Sequence, residues 1–132
     1  MLPAIVLSVT VARPWREVYE AFWRPEAFPR WASGLSEFAL REDGDSWVGK
    51  GAEGGIRVFF TPHNDLGVMD HRVVPDGGEP VAVPLRVIAN GEGAEVQLTL
   101  FRQPGMDDET FARDRRWIRK DLATLKALAE RG

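Results

Sequence analysis

The chain alternates between two kinds of apolar pattern. Residues 4–12, AIVLSVTVA, are rich in β-branched residues and end at Arg13-Pro14, which predicts a first strand. WREVYEAFW then spaces Trp15, Val18, Tyr19 and Phe22 as on one helical face, with Pro14 suited to the first turn. A second short helix is expected from Pro25, carrying Phe28 and Trp31 and stopping at Gly34. From 35 to 102 short apolar runs are separated by the turn stretches EDGDS, EGG, HNDLG, PDGGEP and NGEG, which predicts an antiparallel meander of about six strands. Its clearest hairpin turns at Asn90-Gly91-Glu92-Gly93. Pairing Val87 with Val96 there puts Val83, Leu85, Val87 and Ala89 on one face with Ala94, Val96, Leu98 and Leu100. The last element is a long helix over 108–130, about 34 Å at 1.5 Å per residue. Asp107 is its expected N-cap, and Phe111, Ile118, Leu122, Leu125 and Ala129 form its apolar stripe, widened by Trp117 and Leu128. Such a helix needs an apolar surface to lie on, and the inner face of the meander supplies one.

Composition narrows the class of partner. A chain of 132 residues with 44% hydrophobic and 28% charged residues suits one globular domain over 1–132. A net charge of −3 gives no general attraction to nucleic acid or to an anionic membrane. The absence of cysteine excludes disulfides, thiol catalysis and cysteinate metal sites, and fits a cytoplasmic location. The apolar N-terminal run is too short for a membrane span, which takes roughly 20 residues. The one basic cluster, RDRRWIRK at 113–120, reads as a solvated helix face with Asp114 and Asp121 available for pairing, so no nucleic-acid partner is expected. No phosphate-binding loop or nucleophile motif is present, so no cofactor is implied. None of these patterns specifies an oligomeric state.

The candidate chemistry lies in HNDLGVMDH, residues 63–71, which holds both histidines. With Asn64-Asp65 at the centre of a hairpin, His71 would face Val58, Met69 would face Phe60 and Val73 would face Ile56, all on the inner face. Asp70 would face outward beside arginines. His63 would sit at the tip, roughly 13 Å along the strand from His71 at 3.3 Å per residue, too far to share a metal ion. No metal site is expected. His71 thus stands as a core histidine, a polar anchor for a ligand, or a general acid/base.

The stretches RPWREVYEAFWRPEAFPRW, NDLGVMDH and LFRQPGM, in this order of elements, resemble the START-like helix-grip superfamily, and within it the bacterial polyketide cyclase/dehydrase-like branch. The resemblance implies an α+β fold in which a curved seven-stranded antiparallel sheet wraps the long C-terminal helix around a cavity. Members bind lipids, sterols or quinones, cyclise or dehydrate polyketides, or serve as interaction modules, so the site has to decide between these. The expected function is binding of a small, largely apolar molecule against Ile56, Val58, Phe60, Met69, Val73, Leu85, Val87, Leu98 and Leu122, with Trp31 and Trp47 in the wall and His71 as the polar point. The alternatives are a cyclase or dehydratase-type enzyme with His71 as acid/base, and an interaction module with a filled core.

Overall fold

The computed structural model describes residues 1–32, 40–51 and 54–131. Strand β1 (Ala4–Val11) leads into helix α1 (Trp15–Phe22), where Pro14 takes the cap position and sacrifices no needed N–H. Val18, Tyr19 and Phe22 form the buried face of α1. A single 3-10 turn (Pro25–Ala27) runs into helix α2 (Phe28–Trp31), which buries Phe28 and Trp31. The helix stop expected at Gly34 lies outside the described residues.

Among the described residues seven strands follow: β2 (Arg41–Asp43), β3 (Ser46–Gly51), β4 (Gly54–Phe60), β5 (His71–Pro75), β6 (Val81–Val83), β7 (Leu85–Asn90) and β8 (Gly93–Phe101). Together with β1 they make eight strands in two antiparallel sheets, ordered β1-β8-β7 and β2-β3-β4-β5-β6. This corrects the expected single sheet of seven. The cause is Pro84, the lone residue between β6 and β7, which has no N–H to give a ladder. On one side of it β6 pairs with β5, and on the other β7 pairs with β8. Residues 67–69 join the sheets: Val68 bridges Arg86, and Val87 N–H donates to the Gly67 carbonyl at 2.9 Å.

The hairpin joining β7 and β8 has the expected register, Val87 opposite Val96, and turns on Gly91 at φ 58° followed by Glu92. Positive φ at the first central position alone is the type II′ geometry, whose twist suits a tight hairpin. Along β8, Ala94, Val96 and Leu98 are buried in alternation.

Helix α3 (Asp108–Arg131) lies across this inner face, capped by Asp107 Oδ1 accepting the Thr110 N–H at 2.7 Å. Its C-terminal half is held tightly. Leu122 and Leu125 enter the core, Lys126 Nζ donates to the Thr10 carbonyl at 2.7 Å, and Glu130 accepts the Ala12 N–H at 2.7 Å. Its first turn is held by Arg102, which donates to the Met106 carbonyl and pairs with Asp108 at 2.7 Å. Between these anchors the N-terminal half of α3 faces the short side chains of β4, β5 and β6, and there the packing opens.

Candidate functional site

The strands β4 and β5 are joined by a long loop. Asn64 is its hub. Its Oδ1 accepts the Leu66 and Val68 N–H groups at 2.9 and 3.1 Å, while its Nδ2 donates to the Pro62 and Val68 carbonyls. The loop is pinned to α1, because Asn64 N–H donates to the Tyr19 hydroxyl at 2.8 Å and His63 meets Glu20 at 2.7 Å while packing 4.6 Å from the Trp23 ring. With so many residues in the connection, β4 and β5 pair two positions away from the expected register: Phe60 faces His71, Val58 faces Val73 and Ile56 faces Pro75. A shift of two keeps every side chain on its face. His71 is still inward, opposite Phe60 instead of Val58.

Around His71 two side chains replace a piece of the backbone ladder. Met69 and Leu85 would ordinarily exchange two hydrogen bonds. Met69 N–H does donate to the Leu85 carbonyl at 2.8 Å. In place of the return bond, Leu85 N–H donates to Asp70 Oδ1 at 2.8 Å, and the Met69 carbonyl lies 3.1 Å from His71 Nδ1. Asp70 faces outward and grips Arg86 at 2.8 Å. The Arg86 guanidinium, helped by the Leu85 N–H, holds the Asp70 carboxyl below its ordinary 3.8. Stability from this pair is therefore present above that value and lost as pH falls through the depressed one. Asp70→Asn is expected to lower the urea midpoint at neutral pH, and the gap to the unchanged chain should close as both are acidified.

His71 is buried, and its ring is flanked by Phe28 at 4.9 Å and Phe60 at 5.7 Å. Burial pushes its pKa below 6.5, against smaller upward pulls from the Met69 carbonyl and Asp70. The ring is thus a neutral imidazole at neutral pH. A carbonyl only accepts, so Nδ1 carries the proton.

His71 lines a cavity of about 470 Å³, within the range of roughly 300–1,000 Å³ typical of small-molecule sites. Its inner end is built from Phe28, Trp31, Ala32, His71, Leu98 and Asp121, all buried. Its walls are Ile56, Val73 and Val83 on the sheet side and Trp117 and Ile118 on α3. Gly54, Gly55, Pro75, Asp76, Arg113 and Asp114 complete the lining toward the surface.

Of the residues expected in the wall, His71, Trp31, Ile56, Val73 and Leu98 line this cavity. Met69, Phe60 and Leu85 border instead a void of about 10 Å³ on the other side of His71, room for a single water. Val58, Val87 and Leu122 are core residues, Trp47 packs against the core, and none of the four lines either space. The indole N–H of Trp31, which borders both spaces, is buried without a hydrogen-bond partner, a state that costs about 1–3 kcal/mol.

Trp117 and Ile118 belong to the expected apolar stripe of α3, but the place of Asp114 and Asp121 beside them was missed by the reading of RDRRWIRK as a solvated face. Arg115, Arg116, Arg119 and Lys120 are indeed exposed, but Asp121 is buried and lines the cavity. A signal was available. Asp114, Trp117, Ile118 and Asp121 stand at i, i+3, i+4 and i+7, so both aspartates share the face of the apolar pair between them. Among the described residues no group of three or more His, Cys, Asp or Glu side chains is placed to hold a metal ion, and no helix is long and apolar enough to cross a membrane.

No protein-family model matches the chain, and no curated protein matches it in sequence. Solved structures do match in shape. An uncharacterised protein from Bacillus thuringiensis superposes with a TM-score of 0.74 at 14% identity, covering 96% of this chain and 98% of that one. Ara h 8.0201 superposes with a TM-score of 0.72 at 12% identity over 100% of both chains. The ZhuI aromatase/cyclase from Streptomyces sp. R1128 gives 0.68 at 18% identity, over 99% of this chain and 95% of that one. Two antiparallel sheets closed over a long C-terminal helix, matched almost end to end by these structures, show that this chain shares their helix-grip fold.

Proposed function

We propose that the chain binds a small, largely apolar molecule in the cavity between the sheets and α3, with His71 as its main polar contact. The observation that carries this reading is the cavity of about 470 Å³ itself, lined mostly by aromatic and aliphatic side chains and reached by one buried imidazole. Each methylene that a ligand buries there contributes about 0.8 kcal/mol before the cost of association, so a modest apolar body suffices for micromolar binding. A void of this size also argues against an interaction module with a filled core.

Nile red titrated into the chain is expected to bind saturably at a single site. Val73→Trp, which places an indole in the void, should weaken that binding at least about tenfold while leaving the thermal midpoint within a few degrees. Linear, unsaturable uptake, or unchanged affinity in the filled variant, would count against the proposal.

A second reading has one observation in its favour. Asp121 is buried and lines the same cavity as His71, whereas Asp70 is turned outward to Arg86, so the cavity holds both an imidazole and a carboxyl group. Together they would suit proton transfer of the cyclase or dehydratase type, and an aromatase/cyclase is among the structures of similar shape. His71→Gln that keeps ligand affinity while abolishing turnover of a bound carbonyl compound would favour this reading over binding alone.

A further inference from the structure

We infer that the cavity selects a neutral molecule bearing a hydrogen-bond donor, a hydroxyl above all, and discriminates against a carboxylate on the same apolar body. This deepens the binding proposal and rests on it. The argument begins at Met69. Its carbonyl can only accept, so the 3.1 Å contact to His71 Nδ1 places the ring proton on that nitrogen. Nε2 then carries a lone pair, and no hydrogen bond among the described residues uses it. In this state it accepts from a hydroxyl or N–H and offers nothing to a carboxylate. Burial among Phe28 and Phe60 opposes the protonation that would turn Nε2 into a donor.

The charges around the cavity point the same way. Among the described residues that line it are three carboxylates, Asp76, Asp114 and Asp121, and one guanidinium, Arg113. That guanidinium is held by Asp114 at 3.1 Å and lies 4.7 Å over the Trp117 ring. An entering carboxylate would lose its hydration in a lining where carboxyl groups outnumber cations and the guanidinium is already engaged by Asp114. A hydroxyl brings no charge to desolvate and supplies the donor that Nε2 lacks, while its oxygen still accepts as well as an ether's from the unpartnered Trp31 indole N–H.

The test uses the unmodified chain and three ligands that share one aromatic body: β-naphthol, its methyl ether and the matching naphthoate, each titrated by calorimetry at neutral pH. The naphthol is expected to bind most tightly, by about tenfold over the ether, the ordinary upper worth of one added neutral hydrogen bond. The naphthoate should bind most weakly. Equal affinity for naphthol and ether, or tightest binding of naphthoate, would overturn the inference while leaving the cavity reading in place. Binding of none of the three would overturn the cavity reading and this inference together.

Discussion

Gly67→Ala is expected to cost about 3 kcal/mol or more of stability, the largest loss from any single methyl group added to this loop. Gly67 sits at φ +73°, where a side chain is strained in any surroundings, and a Cβ there would overlap the Val87 carbonyl oxygen. The neighbours cannot yield cheaply, because the obstacle is the backbone of β7 itself. To relieve the overlap the loop must withdraw, breaking the Val87 N–H bond to Gly67 and the Met69 N–H bond to Leu85. Those bonds fasten the segment that leads into His71, so the same substitution should also weaken Nile red binding. Urea unfolding gives the stability directly. A change within about 0.5 kcal/mol, the ordinary range for surface substitutions, would show that the loop is not held as described.

Acid should destabilise the chain through His71 well before the carboxylates begin to protonate. In the folded state burial keeps this imidazole neutral below its ordinary 6.5, whereas in the unfolded chain it protonates near that value. The unfolded state therefore binds more protons once the pH drops below about 6.5, and stability must fall in that direction. Its contribution is whole above that pH and is lost progressively as pH falls toward the depressed folded value, at up to about 1.4 kcal/mol per pH unit. Asp70, Glu20, Asp107 and Glu130, whose carboxyls are held below their ordinary values, add their losses only at lower pH. Comparing urea midpoints of the unchanged chain and His71→Phe between neutral pH and mild acid isolates the histidine. The variant should lack the early slope, and parallel curves would refute the burial argument.

The two registers on either side of His71 show what a sequence can and cannot carry. The β7–β8 hairpin was legible to the residue because Gly91 permits a tight turn and both strands alternate cleanly, so only one pairing buries Val87, Val96 and Leu98 together. The β4–β5 pairing was legible only to the face. Its connection is closed by Asn64 bonding along the loop and by Tyr19 and Glu20 on α1 and Trp23 at its end, contacts that periodicity does not encode. The break at Pro84 was visible as a residue but not as a division into two sheets, since a lone proline at a strand edge can equally be accommodated. The cavity was the least legible feature. It exists because α3 is anchored at its two ends, by Arg102 and by Lys126 and Glu130, and is left standing off from the short side chains Val73, Val83 and Ile56. Spacing identified which residues face inward; only the separation of the helix from the sheet decides which of these touch a void and which touch one another.

Methyl-resolved NMR of the isoleucine, leucine and valine groups during titration with β-naphthol tests the central claim most directly. Shifts should concentrate on Ile56, Val73, Val83, Leu98 and Ile118, which line the cavity, while Val6 and Ile88, exposed on the outer surface, stay unmoved. A second space of about 290 Å³ lies between α1 and the C-terminal end of α3, bordered by Val18 and Leu128. Shifts centred on Val18 and Leu128, or spread evenly over every methyl group, would contradict the assignment of the ligand to the cavity beside His71.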